Sequence, residues 1–437
     1  MIKSILKDSF VYGILNAFNK FFMLLIFFLF VKYFSKENIA ILDMLIVFTS
    51  IVCIFISMQL ESSFARFYFN EKEDNKHFDH MKTIVYMMGL FGLFYLIPIY
   101  FVFDMFFTEY SIDSFVYLFS MMFVIGFLFN ITNLANLHFR YSYEKKNFIV
   151  ASLLFPMSYL IILGIYILVN DSMSILMIFL AQIIGYLIAL SFQYKIIGKE
   201  FLSATFQSKN LKDILKYSLP MFPMFFLIFA NDKAIIYILK EFIPIESLAD
   251  FSIATKYLAL LSLFFFALRM ALDPKINHFI SFPSEKGKDD YKKYINIYII
   301  ISIVLFLAFI FIVPVVQNIF FSEYTNSYKW STILILSFIL LNLSSYMTPG
   351  FSIMKRMDKK LVIVLFQVIL NFVGFYLVLK NGFDVVVGLN YLVIVNFLFM
   401  LIQHYYSNKL YYVSNEYLKS TSVFLFMFII VNKDFII

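Results

Sequence analysis

Long apolar segments dominate this sequence and limit what the chain can fold into. Twelve such stretches follow one another, each near the length of about 20 residues that an α-helix needs to cross a bilayer. Their hydrophobicity is continuous, whereas the strands of a transmembrane barrel are shorter and alternate. The sequence therefore predicts an all-α integral membrane protein with about 12 transmembrane helices. The predicted spans are residues 10–32, 39–62, 82–103, 113–137, 147–169, 172–194, 215–239, 247–271, 294–321, 329–353, 361–380 and 384–406.

The composition excludes a soluble domain. The chain is 62% hydrophobic and 14% charged, whereas an average soluble domain is about 25% charged and about half apolar. A soluble protein of this composition would expose large apolar patches and aggregate. The one cysteine, Cys53, cannot form an intrachain disulfide and is interpreted as a packing residue.

Basic residues are distributed very unevenly between the two sets of loops. One set of alternate loops carries 26 Lys and Arg residues, and the opposite set carries five. This is the pattern of a positive-inside membrane protein. It predicts a multi-pass protein of the plasma (inner) membrane with a cytoplasmic N-terminus. The net charge of +7 therefore indicates orientation and does not indicate nucleic-acid binding.

The chain divides into two halves of six predicted spans each. The longest polar interruption in its middle covers residues 196–213, and short matches recur 209 residues apart, such as ENIA at 37–40 and ESLA at 246–249. Two halves in the same orientation, with a site between them, are typical of parallel-repeat transporters. The predicted domains are a bundle of residues 1–200, a linker of 201–213, a bundle of 214–410, and a tail of 411–437 that forms either an interfacial helix or an incomplete span.

Charged and amide side chains occur inside several predicted spans. One charge at the bilayer centre costs about 2.5–3.5 kcal/mol on insertion scales, yet Lys20, Lys233 and Lys256 all lie within spans, with Asp232 beside Lys233. Pairing between helices is one explanation. Because cations outnumber the carboxylate, a water-filled cavity that receives an anion such as phosphate is favoured. Asparagines share helix faces with these charges or with Arg140, namely Asn16, Asn19, Asn133 and Asn136.

Catalytic and metal-binding motifs do not emerge from the sequence. There is no phosphate-binding glycine loop, HExxH or CxxC pattern. His77, Asp79 and His80 lie in a polar segment that is interpreted as a solvated loop in preference to a metal site. The sequence therefore predicts a protein that is not an enzyme and has no metal or cofactor, with coupling to a proton or sodium gradient left open.

Several segments resemble the Wzx-type O-antigen flippases of the multidrug/oligosaccharidyl-lipid/polysaccharide exporter superfamily. The segments YFSKENIAILDML (33–45) and MQLESSFARFYF (58–69) are similar to patterns after the first and second spans of that family. The second pattern reads Gly-Leu-x-x-Ala-x-x-Arg-Phe-Tyr, and Arg66, Phe67 and Tyr68 match its end. SLPMFPMFFLIFANDKAIIYIL (218–239) resembles the seventh span, with Asp232-Lys233 in place of Asp-Arg, and residues 248–276 resemble the eighth.

The resemblance implies two six-helix bundles around a central cavity that works by alternating access. It implies a flippase that carries an undecaprenyl-pyrophosphate-linked oligosaccharide from the cytoplasmic to the outer leaflet. Membrane lipids and the polysaccharide polymerase and chain-length proteins are the other implied partners. The residues expected to contact the head group are Lys20, Lys233 and Lys256, with Asp232 as an ion-pair or proton-carrying partner and Asn16, Asn19, Asn133 and Asn136 for sugar hydroxyls. Arg66, Arg140 and Arg269 either attract the anion at the cytoplasmic mouth or serve as ordinary positive-inside anchors.

Two other functions remain open at this stage. An exporter of small amphipathic cations belongs to the same superfamily, but its cavity is expected to be anionic. A membrane-embedded glycosyltransferase or polymerase generally needs a carboxylate pair and large outer loops, and the outer loops predicted here are short.

Overall fold

A computed structural model describes most of the chain, and its described secondary structure is helical. The described residues are 18–19, 21–71, 76–108, 115–142, 144–170, 173–219, 221–281, 283–354, 356–413 and 417–432.

The described residues form two compact units, one of residues 21–226 and one of residues 227–432 together with residues 18–19. The boundary between Phe226 and Leu227 lies within one helix. The helices up to that point are α1 Phe21–Tyr33, α2 Lys36–Ser57, α3 Leu60–Glu71, α4 Lys76–Phe107, α5 Phe115–Tyr141, α6 Lys145–Asn170, α7 Ile175–Ser203, α8 Ser208–Ser218 and α9 Met221–Lys233. The C-terminal unit continues with α10 Ile235–Leu239, α11 Ile245–Ser281, α12 Glu285–Phe320, α13 Ser327–Tyr346, α14 Pro349–Ile353, α15 Met357–Lys380, α16 Val385–Leu410 and α17 Tyr417–Val431.

The predicted all-α membrane class is confirmed. Ten helical segments within the described ranges are long and apolar enough to cross a membrane, and ten of the twelve predicted spans overlap them. The first predicted span overlaps the shorter apolar helix α1, and the eighth lies within the 37-residue helix α11.

Each unit is organised around one central helix. In the N-terminal unit, α5 contacts α2, α4, α6 and α7. In the C-terminal unit, α13 contacts α11, α12, α16 and the tail helix α17. Serine side chains cap several helix starts, as where Ser35 Oγ accepts a hydrogen bond of 3.3 Å from the Asn38 amide. α5 and α13 therefore pack against several other helices of their own units.

The second predicted span is broken, which corrects the prediction of one continuous helix. Met58 and Gln59 have φ angles of 43° and 60°, in the left-handed region that non-glycine residues rarely adopt. Ser57 Oγ accepts from the Gln59 amide, and Gln59 Oε1 accepts from Ser62 Oγ. These local hydrogen bonds compete with the helical pattern. The break contains no Gly or Pro, so neither residue type nor hydropathy predicted its position.

The seventh predicted span is also interrupted, after Lys233. α9 ends at Lys233, Ala234 lies between the helices, and α10 is a separate helix of five residues. The Ala234 carbonyl accepts from the Tyr237 amide at 3.1 Å, a tighter turn than an α-helix makes. The charged pair Asp232-Lys233 thus lies at a helix end and not in the middle of a continuous span.

The segment interpreted as a solvated loop is instead helical from Lys76 onwards, and its histidines are buried. His77 and His80 lie in the first turns of α4. The His77 ring stacks on the ring of His138 from α5, with centroids 5.3 Å apart, and also contacts Tyr68 from α3. Burial raises the pKa of the Tyr68 hydroxyl to about 12. The solvated-loop interpretation is therefore wrong for these histidines, because aromatic packing at the lysine-rich end removes them from water.

The tail helix α17 lies along α16. The Phe424 ring stacks on Phe397 at 4.0 Å, and the side-chain amides of Asn432 and Asn390 exchange hydrogen bonds of 2.7 and 3.0 Å. Because the contacts run in opposite order along the two helices, they are antiparallel. At 15 residues, α17 is shorter than the roughly 20 residues that a full span needs.

Candidate functional site

A cluster of buried amide side chains lies inside the C-terminal unit, next to the charged pair. We call it the amide cluster; all of its members are at most 8% exposed. The cluster draws on α9, α15 and α16, and its members are Asn231, Gln367, Asn371, Asn396 and Gln403.

Hydrogen bonds join the cluster into one chain. Asn371 Nδ2 donates to Asn231 Oδ1 at 2.6 Å and to Asn396 Oδ1 at 2.9 Å. Gln367 Nε2 donates to the same Asn396 oxygen at 2.8 Å. Gln403 Nε2 then donates to Gln367 Oε1 at 3.1 Å. Each bond crosses between helices, so the chain ties α9 to α15 and α15 to α16.

Two serines of α13 extend this chain to the centre of the unit. Asn396 Nδ2 donates to Ser337 Oγ at 2.5 Å, and Ser344 Oγ donates to Gln403 Oε1 at 2.9 Å. Bilayer hydrocarbon offers no water to satisfy such groups, so polar side chains within membrane bundles bond to one another. Neutral amides donate and accept hydrogen bonds without changing charge, which makes the cluster a fixed polar scaffold.

The scaffold holds the end of α9, where the charged pair lies. Asn231 is its link to α9, and Asp232 and Lys233 follow it directly. The Lys233 side chain is exposed, and that of Lys256, on α11, is partly exposed. The described geometry thus places an exposed lysine at a helix break next to a buried hydrogen-bond network.

The asparagines predicted on α5 lie in a packed interface. Asn133 and Asn136 are both partly buried. Asn136 Oδ1 accepts a hydrogen bond of 3.0 Å from Gln193 Nε2 of α7, and the same Gln193 nitrogen donates to the Thr132 carbonyl. Asn136 thus contributes to contact between helices, and its role toward sugar stays a prediction.

The other predicted site residues are described only in part. Asn16 and Lys20 lie outside the described residues, and Asn19 is partly buried before α1. Arg140 is exposed at the end of α5. The side chains of Asp232, Arg66 and Arg269 lie outside the described part of α9, α3 and α11. Grouping of these residues around one ligand stays a prediction.

Sequence reasoning missed most of the amide cluster. Asn231 directly precedes the charged pair in the sequence, whereas Gln367, Asn371, Asn396 and Gln403 lie in spans that the sequence analysis did not connect with a site. A signal did exist: Gln367 and Asn371 are four residues apart, and Asn396 and Gln403 are seven apart, so each pair lies on one helix face.

In the described ranges, no group of three or more His, Cys, Asp or Glu residues is arranged to hold a metal ion.

Comparisons with solved structures identify a common fold. The chain is similar to an inward-facing multidrug resistance MATE family transporter of the MOP superfamily, with a TM-score of 0.68, 14% identity and coverage of 93% of each chain. A MOP superfamily transporter from Pyrococcus furiosus, described as having a binding pocket of reverse polarity that suggests a different function, matches at a TM-score of 0.64. Its identity is 14%, with coverage of 93% of this chain and 94% of that one. At these identities the likeness establishes the fold alone.

Sequence comparison identifies the family. No curated protein sequence matches the chain significantly. The sequence model of the family described as polysaccharide biosynthesis protein matches residues 5–279, which is more than half of the 437 residues. The resemblance noted in the sequence is confirmed at the level of the family. The chain belongs to the polysaccharide biosynthesis protein family.

Proposed function

We propose that this protein is a flippase for a polyprenyl-pyrophosphate-linked oligosaccharide. The isoprenoid tail stays in the bilayer while the sugar-pyrophosphate head crosses through the protein by alternating access. Membership in the polysaccharide biosynthesis family supports a lipid-linked glycan as the substrate. The MATE-like fold supports transport as the activity.

The physical difficulty that such a protein solves is the head group's charge. Moving an isolated ionised group from water into hydrocarbon without a partner costs on the order of tens of kcal/mol, because the group loses its hydration. Fixed ammonium groups inside the bundle replace part of the lost hydration, and ammonium groups bind phosphate strongly.

One observation carries the proposal: Lys233 is accessible at a helix break that the amide cluster holds in place. A helix end exposes backbone groups that hydrogen-bond to water or to a ligand. The partly exposed Lys256 adds a second cation in the same unit. Two lysine side chains that are at least partly exposed within segments of this apolar character suit an anionic substrate.

The alternative function is a multidrug exporter, because two of the similar structures are described as multidrug resistance MATE family transporters. An exporter of cations needs a pocket that attracts positive charge, and these lysines would repel it. The reverse pocket polarity described for the Pyrococcus furiosus transporter is consistent with one fold serving substrates of either charge.

A reconstitution assay tests the proposal. Purified protein is placed in liposomes with a polyprenyl-pyrophosphate oligosaccharide that carries a fluorophore on its sugar. Externally added dithionite then bleaches the fluorophores that are exposed outside. We expect the protein to increase the bleached fraction over protein-free liposomes, because it brings inner-leaflet head groups to the outside.

A cationic dye in parallel liposomes separates the two functions. Each assay is run without a gradient, with a proton gradient and with a sodium gradient. Dye transport together with an unchanged protected fraction of labelled glycan under all three conditions would overturn the flippase and establish the exporter.

A further inference from the structure

A short segment at the end of α7 is fastened to the side of α4. It comprises residues 202–207, which run from the last two residues of α7 to the start of α8. We call it the linker segment. Asp79, Lys82 and Thr83 of α4 hold it, and all of these residues belong to the N-terminal unit.

Hydrogen bonds define its path. Lys82 Nζ donates to the carbonyl oxygens of Leu202 and Ala204 at 3.0 and 2.7 Å. Asp79 Oδ1 accepts from the Thr205 amide at 2.6 Å, and Asp79 Oδ2 accepts from Gln207 Nε2 at 2.7 Å.

One more hydrogen bond lies further along α4, where Thr83 Oγ1 accepts from the Gln207 amide at 3.0 Å. The linker segment therefore has one defined position on the surface of α4.

This position lies beside the lipid-facing stripe of α4. Large apolar side chains are exposed at Leu90, Phe94, Ile97 and Phe101, a helical spacing of three or four residues. Tyr86, which is 55% exposed, begins the stripe at the lysine-rich end. Tyrosine favours the boundary between head groups and acyl chains. The stripe therefore places that boundary near Tyr86.

Two apolar side chains of the linker segment lie at the same level. The Phe206 ring meets the Tyr86 ring edge-on at 5.8 Å and is 46% exposed, and Leu202 is 60% exposed. Exposed side chains of this size in a surface segment would be unfavourable in water. At the boundary between head groups and acyl chains, such side chains would be in contact with lipid instead of water.

Lysines line the same edge. Lys195, Lys199 and Leu202 are spaced by four and three residues and share one face of α7. Both lysines are exposed, and neither forms an ion pair with any carboxylate of the described residues. Exposed Lys212 and Lys216 follow on α8. The edge thus joins apolar side chains at boundary depth to ammonium groups nearby.

We propose that this edge binds anionic phospholipids. Phe206 and Leu202 contact the acyl chains, and Lys195 and Lys199 attract the negatively charged head group. Basic residues near a membrane surface favour anionic over zwitterionic lipids, and this charge complementarity identifies the occupant. The role of the Asp79, Lys82 and Thr83 side chains is to position Phe206. The inference is independent of the transported substrate.

Quenching of a tryptophan by brominated lipid tests the proposal. Phe206→Trp protein is reconstituted into phosphatidylcholine that contains increasing fractions of brominated phosphatidylglycerol or brominated phosphatidylcholine. Trp330 is the sole native tryptophan and is buried, so the parent protein supplies the background. We expect half-maximal quenching at an about tenfold lower fraction of the anionic lipid, from the attraction of two lysines. Adding Lys195→Gln and Lys199→Gln should remove this preference.

Matched variants make the outcome decisive. Leu168 is exposed near the C-terminal end of α6, the end away from the lysine-rich loops. A tryptophan placed there by Leu168→Trp should be quenched equally by both lipids. Leu202→Trp repeats the measurement if Phe206→Trp does not fold. Absence of quenching, equal quenching by the two lipids at the edge, or a preference that survives loss of both lysines would each overturn the proposal.

Discussion

Asn371 Nδ2 lies 2.6 Å from Asn231 Oδ1, one residue before the charged pair that ends α9. This hydrogen bond connects the polar scaffold of the C-terminal unit to the most unusual feature of its sequence. It explains how a helix end with charged residues is held at a defined place inside a membrane bundle. Without such a tie, the break after Lys233 would leave backbone groups free to rearrange.

Replacing Asn371 with Leu should destabilise the protein. The variant loses two interhelical hydrogen bonds, each worth about 0.6–2 kcal/mol in a membrane protein, and leaves buried acceptors unsatisfied. We expect the unfolding midpoint in detergent, followed by tryptophan fluorescence, to fall by several degrees. Asn381→Ala, which removes an exposed amide at the end of α15, is the control and should shift it little. Equal shifts in the two variants would contradict a structural role for the cluster.

Lys233→Ala and Lys20→Ala should strongly slow glycan flipping in liposomes and abolish surface polysaccharide in cells, while the protein still inserts. Loss of a charged contact of about 1.5–3 kcal/mol corresponds to a roughly 10–100-fold lower rate. Lys233→Arg should retain part of the activity because it keeps the charge. Lys380→Ala, at the exposed end of α15, is the control. Normal polysaccharide in both alanine variants would argue against an anion-binding role.

Gln59→Gly should be more stable than Gln59→Ala. Both variants lose the hydrogen bond from Ser62 Oγ, but only glycine adopts a φ of 60° without a Cβ clash. The expected difference is about 1 kcal/mol, read as a higher melting temperature. The family pattern supports this choice, since counting back from Arg66 places its glycine at position 59. An alanine variant as stable as the glycine variant would mean that the backbone there is not left-handed.

Gly350→Ala should be far more damaging than Gly164→Ala. A Cβ at position 350 would clash with the Ser407 backbone oxygen, whereas one at position 164 meets nothing within 4 Å. Overpacking of this kind costs about 1–3 kcal/mol or more. Gly164→Ala should be neutral or stabilise α6 by up to about 1 kcal/mol, because alanine is the better helix former. Comparable expression and melting temperature for the two variants would contradict the close approach of α14 and α16.

Asp79→Ala should loosen the linker segment. The Thr205 amide loses its charged acceptor, a bond worth about 1.5–3 kcal/mol, so its hydrogen exchange should accelerate roughly 10–100-fold. Thr83→Val should instead accelerate exchange at the Gln207 amide. Peptides from the middle of α5 supply the internal control by mass spectrometry. Unchanged hydrogen exchange across residues 202–207 in Asp79→Ala would contradict the attachment of the linker segment to α4.

The sequence alone determined the class of the protein, its approximate spans and its family. Hydropathy over about 20 residues decides whether a segment is stable in hydrocarbon, and that property is local to the segment. For the same reason, lysine counts predict an orientation, and the Arg66-Phe67-Tyr68 motif indicated the family.

Tertiary structure decided where helices break and which polar groups meet. The break at Met58 and Gln59 depends on side-chain hydrogen bonds that no apolar pattern records, and the burial of His77 depends on His138, 61 residues away in sequence. The amide cluster joins Asn231 to Asn371, which lies 140 positions later in the sequence. Such contacts exist only once the bundle packs, because hydrogen-bond partners in a membrane protein are set by the neighbouring helix and not by the neighbouring residue.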